Sequence, residues 1–144
     1  MDWQYNDGGR LEAGYKGNAD DCVTRAIAII TEKPYQEVYD LVNKYGASER
    51  KSTKNKSNSS ARTGVYKNTT RKIMEHYGFK WIPIMKIGSG TTVHLKADEL
   101  PTGKLITKVS KHICAVIDGV IYDTHNPSRY GTRAVYGYWV MEGE

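Results

Sequence analysis

The chain has 144 residues, 39% of them hydrophobic, and a formal net charge of +5. That length supports one domain with a real core, and the hydrophobic share excludes a disordered chain. No window approaches the roughly 18 apolar residues of a membrane span, no basic-then-apolar leader opens the chain, and there are only two cysteines, so the expected setting is cytoplasmic with reduced thiols.

Residues 1–21 are rich in Gly and Asp and read as an irregular arm. Residues 22–31 (CVTRAIAIIT) follow Asp20 and Asp21, both good N-caps. Val23, Ala26, Ile27 and Ile30 form an apolar stripe at helical spacing, and Ile29 widens it, so this helix is expected to be central and buried. Pro34 opens a second helix over 34–45, with Val38, Leu41 and Val42 inward and Gly46 as its stop. Residues 47–62 carry five Lys or Arg, five Ser and no apolar residue larger than Ala, the composition of a flexible basic loop. A third helix is expected over 63–77, with Val65, Ile73, Met74 and Tyr77 on its apolar side and Gly78 ending it.

From Phe79 the period changes to two. FKWIPIM (79–85) reads as a strand that Pro83 confines to a sheet edge. TTVHL (91–95) and KLITKVS (104–110) are further strands. HICAVI (112–117), Asp118-Gly119 and VIYD (120–123) form the clearest hairpin, and AVYGYWV (134–140) is the last strand. Helices followed by hairpin-linked strands give an α+β class, with the N-terminal helices packed on a C-terminal antiparallel sheet.

The Asp-Gly turn sets the hairpin register: Ile117 faces Val120, Cys114 faces Asp123 and His112 faces His125. Alternation then places His112, Cys114, Ile121, Asp123 and His125 on one face, with His112 and Asp123 as diagonal neighbours about 7–8 Å apart at Cα. A carboxylate there can fix the imidazole tautomer and favour the charged ring, the orienting half of a nucleophile–base–orienter set. Cys22 stands in the first turn of a helix, where partial positive charge stabilises a thiolate and unpaired N–H groups can hold an oxyanion. Asp20 and Asp21 oppose this unless they are paired. Cys114, mid-strand, reads as a core thiol. His125 is expected to stay neutral or turn to solvent.

A Cys at the head of a central helix, then a His-bearing strand, then an Asp on the next strand resembles the papain-like cysteine peptidase superfamily. The segment HICAVIDGVIYDTHNPSR looks like the His–hairpin–Asp end of its C39-like and NlpC/P60-like branches, and residues 17–31 and 104–127 carry the resemblance. The chain as a whole looks like small bacteriophage proteins of that superfamily. The resemblance implies a papain-like fold and a hydrolase of peptidase, amidase, deamidase or acyl-transferase type. It implies Cys22 as nucleophile, His112 as base and then acid, Asp123 as orienter and Asn18 in the oxyanion hole, with Asn126 and His125 in support. It calls for no cofactor and no metal, and the implied partner is a protein or peptide substrate, a host protein included.

Two other readings use the same residues. A non-catalytic fold of this type can bind a host protein, for example to inhibit a defence system, or bind nucleic acid through the basic loop at 50–62 and the Arg129–Tyr138 aromatics. A mixed metal set of Cys22, His112, Cys114, Asp123 and His125 has suitable donors, but no CxxC or HxxxH spacing supports it. No membrane partner is expected.

Overall fold

The computed structural model describes residues 1–17, 19–50, 57–85 and 93–142. Within them the chain is α+β: three helices and a six-stranded mixed sheet. The helices are α1 (Cys22–Thr31), α2 (Tyr35–Ala47) and α3 (Lys67–His76). The strands are β1 (Trp3–Tyr5), β2 (Phe79–Pro83), β3 (Lys104–Val109), β4 (His112–Ile117), β5 (Val120–Asp123) and β6 (Gly137–Met141), in the spatial order β1-β5-β4-β3-β6-β2. No described helix is long and apolar enough to cross a membrane.

The β4–β5 hairpin has the expected register, with Ile117 opposite Val120 and Ala115 opposite Tyr122. Asp118 and Gly119 both have positive φ, 48° and 80°, as a turn that follows strand twist requires. β2 is an edge strand ending at Pro83 and paired only with β6, which suits a residue without an N–H.

Strand alternation separates two apolar clusters. Ile106, Ile113, Ala115 and Trp139 pack against α1, α2 and α3 through Ile27, Val38 and Ile73. Leu105, Val109, Cys114, Val116 and Ile121 form the other face with Leu95, Leu100 and Val135. α1 lies against β4, β3 and β5, so it packs across the inner strands of the sheet.

Several expectations need correction. The N-terminal arm is not wholly irregular: Trp3–Tyr5 pairs with β5, and pairs in parallel, so the sheet is mixed rather than antiparallel. Three residues of W-Q-Y are too few to show a period, and only the exposed edge of β5 makes them a strand. α2 runs through Gly46 to Ala47. Gly46 is there for close approach, not as a stop, because a Cβ at this position would lie 2.0 Å from the Ser59 carbonyl oxygen. α3 starts at Lys67 rather than 63, because Gly64 (φ 122°) turns the chain and Ser60 bridges back to it. His94 in the 91–95 segment makes one isolated bridge to Ala134. The core of the basic loop (51–56) and residues 86–92 lie outside the described residues.

Ala ordinarily stabilises a helix interior relative to Gly by about 1 kcal/mol. At Gly46 the sign reverses. Gly46→Ala is expected to destabilise by about 2 kcal/mol or more through overpacking, read as a lower midpoint in urea unfolding. A neutral or stabilising result would show that Ser59 moves away freely.

Candidate active site

Three elements terminate at one place: α1 begins at Cys22, β4 begins at His112 and β5 ends at Asp123. By strand parity His112 and Asp123 share the face of Cys114 and Ile121, opposite the helices. Each is the terminal residue of its strand, so their side chains meet α1 around the end of the sheet.

Asp123 is the fixed point. It is 2% exposed, and its Oδ2 lies 2.6 Å from His112 Nε2. Its Oδ1 accepts from Arg25 Nη2 at 3.1 Å and from the Thr124 N–H at 2.7 Å. The Asp123 carbonyl accepts from the Asn6 N–H and from Trp3 Nε1 at 3.0 and 3.1 Å, so β1 holds the backbone of the residue that orients the histidine. Burial pushes the Asp123 carboxyl up, but the hydrogen bond and charge of His112 and the charge of Arg25 outweigh it and hold it below the usual carboxylate range.

With Nε2 committed to Asp123, Nδ1 is the nitrogen left to exchange a proton with the Cys22 thiol, which lines the same cleft. Burial pulls His112 down, but the Asp123 hydrogen bond and the hydrogen bond and charge of Cys22 raise it to about 9. Burial pushes the partly exposed Cys22 thiol up, yet the hydrogen bond and charge of His112, the Ile113 N–H and the charge of Arg25 bring it below its ordinary value. The two shifts favour thiolate and imidazolium over the neutral pair.

The aspartates beside Cys22 do not act as caps. Asp21 is the N-cap residue of α1 but makes no side-chain cap. Its buried carboxylate is bonded to Arg10 Nη1 at 2.9 Å, to Arg25 Nη1 and to the Tyr35 hydroxyl at 2.7 Å. Two guanidinium groups therefore answer the charge next to the sulfur. The N–H groups opening α1 keep their capacity to meet a developing oxyanion. Asp20 is exposed, and its backbone N–H is bonded to the Arg62 carbonyl.

Comparison with protein-family models, with curated proteins and with solved structures gave no match. Function is therefore read from the site alone.

Cys22, His112 and Asp123 are brought together. Asn126 is not part of the group: its amide donates to the Met1 carbonyl and its oxygen accepts from the Ser128 N–H and hydroxyl. Asn18 lies outside the described residues. Cys114 is 1% exposed among Leu105, Val116 and Ile121, near Thr107 Oγ1 at 3.0 Å, and burial pushes its thiol up to about 12. His125 is exposed, its ring 4.9 Å from that of His112. Desolvation lowers its pKa, and the charges of His112, Arg25 and Arg133 lower it further against the pull of Asp123. His94 and His76 lie elsewhere, bonded to Glu99 and to the Tyr45 hydroxyl.

His112, Asp123 and His125 do offer ligand atoms within 4.8 Å of one another. A dication on Asp123 would have to share that carboxylate with the Arg25 guanidinium, so the set suits a triad better than a metal centre.

Arg25 is the site residue that sequence reasoning passed over. It stands in an otherwise apolar helix at i+4 from Asp21, a spacing that places the two on one face. An unexplained charge on a helix expected to be buried was the available signal.

Two results are expected. Arg25→Met takes one cation from each of two buried carboxylates, leaving Asp21 with Arg10 and Asp123 with His112, and should destabilise by about 3 kcal/mol in urea unfolding, whereas Lys33→Met on the exposed part of the chain should change stability by less than about 0.5 kcal/mol. NMR titration should place His112 near 9, and Cys22→Ala should lower that value, since the thiolate that favours the imidazolium is gone. An unmoved His112 pKa in Cys22→Ala would show the thiol and imidazole to be uncoupled.

Proposed function

We propose that the protein is a papain-like cysteine hydrolase acting through Cys22, His112 and Asp123 on an amide, isopeptide or ester carbonyl. The observation that carries this reading is geometric: His112, fixed by Asp123 at 2.6 Å, lines one cleft with Cys22 at the start of α1, and the Cys22 thiol is shifted down and His112 up to about 9 in keeping with it.

The chemistry follows from these atoms. The Cys22 thiolate attacks the carbonyl carbon and the C–S bond forms. The oxygen becomes an oxyanion, which the free N–H groups at the start of α1 can stabilise. The intermediate collapses, the bond to the leaving nitrogen or oxygen breaks, and the His112 imidazolium gives its proton to the leaving group. The neutral imidazole then takes a proton from water as that water attacks the thioester. The C–O bond forms, the C–S bond breaks, and thiolate and imidazolium are restored. Asp123 keeps its charge throughout and holds the ring.

Supporting the reading, the sulfur is reachable. Cys22 and His112 line a cleft of about 1140 Å³ that also includes Ile113, Thr124 and Trp139. A purely structural thiol is exemplified by Cys114 in the same chain: enclosed, hydrogen-bonded to Thr107, and shifted in the opposite direction.

Alkylation by iodoacetamide tests this. At neutral pH Cys22 is expected to react roughly tenfold faster than a free cysteine, its greater thiolate fraction being partly offset by lower nucleophilicity. The rate should fall off at lower pH than that of a free cysteine, because the thiolate is held below its ordinary pKa. Intact mass should show a single adduct, with Cys114 unmodified. His112→Ala should slow the reaction about tenfold or more and return its pH dependence towards that of an ordinary thiol. Equal rates for wild type, His112→Ala and free cysteine would sink the proposal.

A further inference from the structure

The cleft in front of Cys22 extends beyond the triad. It reaches from Tyr5 on β1, along the ends of the strands, to Trp81 on β2 at the far edge of the sheet. Neighbouring strands lie about 4.8 Å apart, so six strands span about 24 Å, and an extended peptide advancing about 3.4 Å per residue covers that distance with about seven residues.

The charges along it are unequal. Arg10 and Arg25 are paired with Asp21 and Asp123. Arg62, Lys67, Arg71, Lys108 and Lys111 also line the cleft. Among the described residues, none of these five has a carboxylate oxygen within 4.0 Å. They come from two separate parts of the chain: Arg62 with Lys67 and Arg71 of α3, and Lys108 of β3 with Lys111 in the turn that follows it. Lys111 immediately precedes His112 and sits at φ 57°, a left-handed conformation that ordinarily favours Gly or Asn. Trp81 and Tyr136 add exposed aromatic surface to the same cleft, 38% and 37% accessible.

We infer that the acyl substrate of this site is an acidic peptide segment, its carboxylates met by Arg62, Lys67, Arg71, Lys108 and Lys111 and its apolar side chains by Trp81 and Tyr136. The inference rests on the hydrolase reading, because the cations surround a centre whose reaction partner is a carbonyl carbon. A peptide fits better than a nucleic acid strand. Exposed Asp20 lines the same cleft and would face a continuous phosphate backbone, whereas spaced carboxylates can avoid it. Lys and Arg facing unpaired carboxylates supply selection and association rate, both weakened by salt.

Binding and acylation are measured separately. The Cys22→Ala protein is titrated with a dye-labelled heptapeptide of alternating Glu and Ala, with its Gln counterpart, and with oligothymidylate. The Glu peptide should bind at least about tenfold more tightly than the Gln peptide, about the effect of one charge-assisted hydrogen bond. That advantage should shrink as salt rises from about 0.05 to about 0.5 M. It should be lost in Lys108→Gln/Lys111→Gln and in Lys67→Gln/Arg71→Gln, and kept in Lys33→Gln/Lys44→Gln, which removes the same charge away from the cleft. Equal binding of the Glu and Gln peptides, a preference that survives both cleft variants, or tighter binding of oligothymidylate overturns the inference. The wild-type protein is then treated with the Glu peptide as a C-terminal thioester, and intact mass should show the peptide acyl group on Cys22. Tight Glu-peptide binding without acylation strikes the hydrolase reading and leaves the charge preference standing.

Discussion

The Arg25 guanidinium ties the helical layer to the sheet and the core to the site. It reaches Asp21 at the start of its own helix and Asp123 at the end of β5. Around it, formal charges alternate through Arg10, Asp21, Arg25, Asp123, His112 and Cys22, and the thiolate–imidazolium form of that series sums to zero. The buried carboxylates depend on their partners, because a buried charge is tolerated only while its neighbour answers it. Apolar packing of α1 on β4 drives association of the layers. The ion network fixes where along the sheet the first turn of α1 comes to rest.

That register prepares the chemistry. An aspartate at the N-cap would ordinarily spend its carboxylate on the first N–H groups of the helix. Asp21 instead faces two arginines and the Tyr35 hydroxyl, which neutralises the charge beside the sulfur and leaves the helix start open. The same arginine lowers both the Cys22 thiol and the Asp123 carboxyl. Asp123 is held further by β1, whose Trp3 and Asn6 donate to its carbonyl. The His112 imidazole is thus oriented by a residue anchored through both main chain and side chain, and burial keeps those interactions strong.

Charge is distributed differently inside and outside this network. The buried group balances itself, whereas Arg62, Lys67, Arg71, Lys108 and Lys111, which have no carboxylate partner among the described residues, lie along the cleft that leads to it. The two cysteines draw the same contrast at the level of single atoms. Cys114 lies mid-strand among Val116, Ile121 and Leu105, and burial outweighs the Thr107 hydrogen bond and pushes it up. Cys22 lies at a helix start beside an imidazole, and there the upward push of burial is overcome.

By itself the sequence determined what local rules control. Asp118-Gly119 demands positive φ at two successive residues, and with strand alternation that was enough to set His112 beside Asp123. The apolar stripe from Val23 to Ile30 was enough to bury α1, and Pro83 to put β2 at an edge. These signals act over a few residues, so they can be read in one dimension. Only the tertiary structure decided the remainder. Arg25 meets Asp123 across 98 positions and Trp3 meets it across 120. Gly46 is glycine because Ser59 passes against it, and Trp3–Tyr5 is a strand because β5 offers an edge. None of these contacts has a period or a turn type to announce it. Each exists because folding brings distant groups into a medium where an unpaired charge or an unfilled edge cannot stand alone.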